Sequence, residues 1–151
     1  MDKGIYCLVF RNPACTVKVG ALGAQAFAAG FHVYVGSAQG SGGLHRVRRH
    51  MLLAQERDRR PKWHIDYLLT SDNFDLFSVI CASTEKKFEC RLAGTLSGSP
   101  VPRFGCSDCS CSSHLFYSDA DPRDEIRIAF QGLELDSAIT TLNTPGAKGI
   151  I

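Results

Sequence analysis

Short apolar runs broken by polar and glycine-rich stretches recur along the chain, and their changing period predicts a mixed α/β fold. Residues 4 to 10, Gly-Ile-Tyr-Cys-Leu-Val-Phe, are apolar on both faces and read as an interior strand. Arg11-Asn12-Pro13 forms a turn, and Thr16 to Val19 has the character of a short second strand. Residues 20 to 30 are small and glycine-rich and carry little pattern. Phe31 to Val35 alternates, with Phe31, Val33 and Val35 on one face and His32 and Tyr34 on the other.

After the loop Gly40-Ser41-Gly42-Gly43 the period becomes helical. Leu44, Val47, Met51 and Ala54 form the apolar stripe of a helix over about 44 to 57, which Arg59-Arg60-Pro61 ends. Residues 63 to 70 fit either a strand or a short helix. Phe74 to Ser83 reads as a strand, Glu85 to Leu96 as a second helix, and Ser97 to Pro102 as a linker. A cysteine-rich loop at 104 to 114 precedes a strand near 125 to 130. A last helix is expected over 133 to 142, with Leu135, Ile139 and Leu142 as its apolar set. One domain is expected over residues 1–142, with a flexible tail over 143–151.

Composition narrows the setting. No apolar run approaches the length of a membrane span, and Met1-Asp2-Lys3 leads into a strand without a signal-peptide core, which points to a cytoplasmic protein with no membrane partner. Seven cysteines, with Cys7 and Cys81 inside apolar runs, fit reduced thiols better than a disulfide framework. The net charge of +2 conceals a local excess. Residues 44 to 62 hold Arg46, Arg48, Arg49, Arg57, Arg59, Arg60 and Lys62 against Glu56 and Asp58. Such a run is either a solvated helix face or the footprint of a polyanion, DNA first and RNA second.

Several side chains could do chemistry. Strand tyrosines such as Tyr6 and Tyr34 usually pack in a core with the hydroxyl satisfied at its rim, but a tyrosine hydroxyl can also orient or deprotonate an attacking water. Arg46 and His50 are four apart on one helix face. A guanidinium fork suits two phosphate oxygens, and an imidazole can move a proton near neutrality. The loop 36 to 43 leads into that helix but lacks both the Gly-Lys-Ser/Thr of a P-loop and the third glycine of a dinucleotide fingerprint. Glu89 offers one hard oxygen ligand for a divalent cation, with Glu85 its nearest competitor. Cys106-x-x-Cys109-x-Cys111-x-x-His114 carries four zinc-type ligands at compressed spacing, and could hold a structural Zn²⁺ or form a loop that supports the site. His64 and Asp66, in Trp63-His64-Ile65-Asp66, combine with Cys106-x-x-Cys109 into a variant of the zinc-deaminase pattern, in which Asp66 would stand for the catalytic glutamate.

Taken together, these motifs resemble the GIY-YIG endonuclease superfamily. Gly4-Ile5-Tyr6 matches its first motif, Tyr34-Val35-Gly36-Ser37-Ala38 its second, and Arg46-Val47-Arg48-Arg49-His50 its helix. Within the superfamily the chain is most similar to small stand-alone proteins of poorly known function. These share Trp63-His64-Ile65-Asp66-Tyr67-Leu68, Glu89-Cys90, and Phe104-Gly105 through Ser107-Asp108-Cys109-x-Cys111-x-x-His114-Leu115. The resemblance implies a sandwich with a small, mainly antiparallel central sheet flanked by helices. It also implies metal-dependent hydrolysis of DNA phosphodiester bonds. Glu89 would hold Mg²⁺ or Mn²⁺, Arg46 would neutralise the phosphate, Tyr6 would act as general base, Tyr34 would position water or substrate, and His50 would assist. Two departures stand out. The 27 residues between Tyr6 and Tyr34 exceed a hairpin gap, and the short lead into Arg46 leaves Arg49 as the alternative catalytic arginine. A non-catalytic nucleic-acid-binding module on the same scaffold would need the arginines but not Glu89.

Overall fold

The computed structural model describes residues 2–57, 60–105 and 113–142. Strand β1 (Gly4–Asn12) is the spine of a six-stranded sheet. It pairs on one side with β4 (Gly30–Ala38) and on the other with β5 (Asp75–Ser83). Between β1 and β4 lie β2 (Cys15–Lys18), a 3₁₀ turn at Gly20–Leu22, and β3 (Ala24–Phe27). Helices α1 (His45–Glu56) and α2 (His64–Leu69) precede β5, and α3 (Glu89–Thr95) follows it. The chain then adds β6 (Ser99–Pro100), β7 (Leu115–Ser118), α4 (Arg123–Gly132) and β8 (Ala138–Thr141). The sheet order is β6-β7-β4-β1-β5-β8, and every described ladder in it is antiparallel.

Because β1 is interior, its alternation builds two cores. Tyr6, Leu8 and Phe10 face one layer with Val47, Ala54, Ile65, Leu68 and Leu69 from α1 and α2. Ile5, Cys7 and Val9 face the other with Leu92, Ala93, Ile126 and Phe130 from α3 and α4. The result is an α/β sandwich with helices on both faces of a mainly antiparallel sheet, as expected. The long gap between the tyrosines is absorbed without disturbing this sheet. Pairing runs unbroken from Gly4 opposite Ala38 to Asn12 opposite Gly30. The inserted residues form a separate two-stranded sheet of β2 and β3, whose Val19 and Phe27 join the first core. The glycine-rich stretch over 20 to 30, which carries little pattern, thus holds a 3₁₀ turn and a strand.

The C-terminal third departs from the sequence reading. The strand expected near 125 to 130 is helix α4, because Ile126 and Phe130 lie four apart and both are fully buried. Asp124 and Glu125 sit in its first turn, where acidic side chains favour a helix N-terminus. The helix expected over 133 to 142 is instead β8, an exposed edge strand paired to β5, in which Ile139, Thr140 and Thr141 are β-branched. Strand β7 lay unrecognised at the end of the cysteine-rich loop, and β6 falls inside the expected linker. The second helix starts at Glu89 rather than Glu85, since Lys86 and Phe88 are held in turns before it. Residues 63 to 70 resolve as helix α2. The tail expected over 143–151 lies outside the described residues. No described helix is long and apolar enough to cross a membrane.

Candidate functional site

The β1–β4 register puts Tyr6 opposite Gly36 and Tyr34 opposite Leu8, so the two tyrosines are diagonal neighbours on one face of the sheet. The glycines of both motifs have steric reasons. A Cβ at Gly36 would overlap the Tyr6 ring, which lies across that backbone. A Cβ at Gly4 would meet the Ala82 carbonyl and the Leu44 side chain that packs α1 onto the sheet. At that end the β4–β7 ladder stops at Tyr34, with one further bond from the Val35 N–H to the His114 carbonyl, and among the described residues no strand pairs with Gly36 to Ala38 on that side. Arg46 uses this edge, since its Nη1 donates to the Ser37 carbonyl at 2.9 Å.

A cleft of about 390 Å³ opens there, lined by Tyr6, Tyr34, Arg46, His50, Glu89 and His114, with Ser37, Gln39, Lys62, Trp63, His64 and Gly105 around them. The residues expected to act together from β1, β4, α1 and α3 therefore share one wall. Gln39 braces the cleft by donating to the carbonyls of Gly4 and Thr84 at 3.1 and 2.9 Å.

Tyr6 is almost completely buried, and its hydroxyl lies 2.8 Å from His50 Nε2. Burial first, and then Tyr34, raise the tyrosine well above its usual value, against a downward pull from Arg46. Burial, then Arg46 and Arg49, push His50 down to about 3. At neutral pH the pair is therefore a phenol beside a neutral imidazole. Glu89 opens α3, and its Oε2 lies 3.8 Å from Nδ1 of the buried His114. That separation is a charge–imidazole approach, longer than a hydrogen bond. His64 Nδ1 accepts the Gly105 N–H at 3.0 Å, and burial lowers its pKa. The neutral ring thus carries its proton on Nε2.

Asp66 does something else. It is buried under the start of α2, where Oδ2 accepts the backbone N–H groups of Lys62 at 2.8 Å and Trp63 at 3.1 Å. It is a helix cap, turned away from the first cleft. With His64 Nδ1 and Asp66 so engaged, the deaminase reading draws no support from this region. Cys106, Cys109 and Cys111 lie outside the described residues, and of that quartet only His114 is seen, at the cleft wall beside Glu89. Among the described residues no group of three or more His, Cys, Asp or Glu side chains is placed to hold a metal. Cys90, next to Glu89, is disulfide-bonded, which corrects the expectation of uniformly reduced thiols; Cys7, Cys15 and Cys81 are free.

The basic run divides. Arg46 is in the first cleft, whereas Arg49 and Arg60 line an adjoining cleft of about 330 Å³, with His50, Lys62 and Trp63 common to both. Arg48 is exposed, Arg57 is ion-paired to Asp72 at the end of α1, and Arg59 lies outside the described residues. Sequence reasoning gave no role to Trp63, Ser37 or Gln39. A lone tryptophan embedded in a basic run was the available signal for the first of these.

A family model described as a domain of unknown function, DUF123, matches residues 5–135, and the chain belongs to that family. Neither the curated proteins nor the solved structures compared with it gave a match.

Proposed function

We propose that this DUF123 member is a metal-dependent endonuclease of the GIY-YIG type that hydrolyses DNA phosphodiester bonds. The observation that carries the reading is the convergence of Tyr6, Tyr34, Arg46, His50 and Glu89, from four separate elements, on one cleft. A structural role would not require an arginine, a carboxylate and a tyrosine–histidine pair to meet at a solvent-accessible sheet edge.

Each side chain has a definite task. The carbonyl of Ser37 anchors Arg46 at the cleft wall, where its guanidinium fork could bind phosphate oxygens. Arg46 would thereby offset the charge that grows on the phosphate as the nucleophile attacks. Tyr6 keeps its own proton at rest, because burial opposes the phenolate. Its base role therefore runs as a relay: the tyrosine oxygen takes the proton of the attacking water while its own proton passes to Nε2 of His50, 2.8 Å away. The low His50 value works against this step, and an incoming phosphodiester helps it by offsetting the charges of Arg46 and Arg49. Tyr34, on the same face, orients the water or the phosphate.

The donor set suits a hard divalent cation. Glu89 supplies one carboxylate at the cleft wall, and Mg²⁺ or Mn²⁺ commonly completes such a shell with waters and substrate oxygens. Bound by Glu89, the ion would stabilise negative charge on the leaving oxygen. His114 keeps the carboxylate company from the buried side.

The test is nicking of supercoiled DNA with and without Mg²⁺ or Mn²⁺. Cleavage should require the ion and should fall at least about a hundredfold in Tyr6→Phe, Arg46→Ala and Glu89→Gln, within the range removed by loss of a catalytic or charge-stabilising group. Undiminished nicking by the three folded variants would refute the assignment. The non-catalytic binding module is the second reading, favoured by the burial that holds Tyr6 protonated. It predicts DNA binding that needs Arg46 and is indifferent to Glu89, with no cleavage.

A further inference from the structure

Beside the first cleft, and continuous with it through His50, Lys62 and Trp63, lies the second cleft of about 330 Å³. Its chemistry is different. Leu52, which is 40% exposed, and Leu53 give it an apolar floor on α1, Arg49, Arg60 and Lys62 bring positive charge to its wall, and the carboxylates of Glu56 and the helix-capping Asp66 also line it. Trp63 stands at the boundary, 41% exposed, with the guanidinium carbons of Arg46 and Arg49 at 5.2 and 5.3 Å from its ring. Its backbone N–H is fixed by the buried Asp66 carboxylate, so the ring is carried on a rigid helix start rather than on a loose loop.

We propose that this second cleft is a base-binding subsite, in which Trp63 stacks on one unpaired nucleobase of the DNA strand whose neighbouring phosphate lies on Arg46. The inference rests on the nuclease reading for the phosphate site, and it adds a substrate class: single-stranded DNA, or a duplex carrying an extruded nucleotide. An aromatic face beside a leucine floor suits a base, and three cations against two carboxylates, one of them engaged in capping α2, leave positive charge for the phosphates on either side of it. A regular duplex keeps its bases stacked and presents mainly its backbone, so it would leave the indole and the leucine floor unfilled. Arg49 is exposed and, among the described residues, packs over the ring by a cation–π contact. A base replacing it on that ring frees the guanidinium for a phosphate, so the exchange preserves the contacts of both groups.

The chain has a single tryptophan, so its emission reports this subsite without labelling. The experiment titrates the full-length protein, in EDTA to prevent cleavage, with three probes. These are a short oligothymidylate, an abasic oligomer of the same length and charge, and a blunt duplex. Oligothymidylate should quench Trp63 and bind about tenfold or more tightly than the abasic oligomer, as expected for one stacked base. Trp63→Ala should abolish that difference while keeping the abasic affinity, and Trp63→Phe should retain most of it. Equal affinity and equal emission change for oligothymidylate and abasic oligomer would overturn the subsite. A parallel Mg²⁺ nicking assay separates the two claims. Base-dependent quenching without cleavage would sink the nuclease reading alone, whereas cleavage with no base dependence would sink the subsite alone.

Discussion

Arg46 and Arg49 are three residues apart on the same helix, yet they sit in different surroundings. Arg46 is anchored to the Ser37 carbonyl inside the first cleft, while Arg49 lies over the outer lip on Trp63. Phosphate neutralisation is therefore proposed for Arg46. Arg49→Ala should lower DNA affinity several-fold and leave single-turnover cleavage at saturating DNA near the wild-type rate, whereas Arg46→Ala should lose that rate about a hundredfold or more. Gly36 belongs to the same scale. Adding one methyl forces the Tyr6 ring off the strand, so Gly36→Ala should cost about 1–3 kcal/mol in urea denaturation and reduce cleavage with it. The two tyrosines, the arginine, the histidine and the glutamate that line the first cleft could be singled out from the sequence, because each has a distinctive chemical type within a short motif. What the sequence could not provide was the choice between the arginines. That choice depends on which carbonyl of the β4 edge is left unpaired, and edge pairing is decided by β7, some eighty residues later.

At the scale of elements, α2 shows how a short helix can matter more than its six residues suggest. Its period was too brief to separate from a strand. Asp66 decides the matter by accepting two N–H groups at the helix start, and in doing so it fixes Trp63 at the boundary of the two clefts. Asp66→Ala should destabilise the fold by about 2 kcal/mol, and Asp66→Asn by less, because an amide oxygen still accepts one of the two bonds. Broader Trp63 emission in the folded alanine variant, alongside chemical denaturation, would register the loosened ring. The reversal of helix and strand at α4 and β8 has a different origin. Ile126 and Phe130 satisfy a helical period, but Ile128 between them is 65% exposed, so local hydrophobicity alone mimics a strand. In β8, all four residues are exposed, and its conformation comes from pairing with β5 rather than from any apolar period of its own.

The whole molecule was legible as a class before it was legible as a topology. Buried strands at Gly4–Asn12, Gly30–Ala38 and Asp75–Ser83 announce an interior sheet, and the amphipathic α1 announces a layer over it. Their order in the sheet, and the excursion of β2 and β3 into a second sheet, come from long-range pairing that no local pattern encodes. The same burial gives the fold a pH dependence. His32 is enclosed by Phe27, Phe74 and Tyr117, and its Nδ1 donates to Asn12 Oδ1 at 2.7 Å, since the Asn12 amide donates to the carbonyls of Pro13 and Ala28. Burial pulls His32 down to about 4 and His50 to about 3. Both rings are neutral when folded, and the unfolded chain binds protons at them first as the pH falls below their ordinary value of about 6.5. Stability is therefore full above that value and lost progressively from about pH 6.5 towards 3, by an amount on the order of a few kcal/mol. Urea midpoints measured between neutral and mildly acid pH should fall steadily, and His32→Phe should flatten the slope by about one proton even if its absolute stability is lower.

The central claim is that the cleft cuts DNA with Glu89 as its metal ligand and does not merely hold it. Equilibrium binding and single-turnover cleavage of the same single-stranded DNA, measured side by side for the wild type and Glu89→Gln in Mg²⁺, test this most directly. The account predicts binding within about threefold of wild type and cleavage reduced by about a hundredfold or more. Cleavage unchanged by the substitution would contradict it, as would tight binding by both proteins with no cleavage by either.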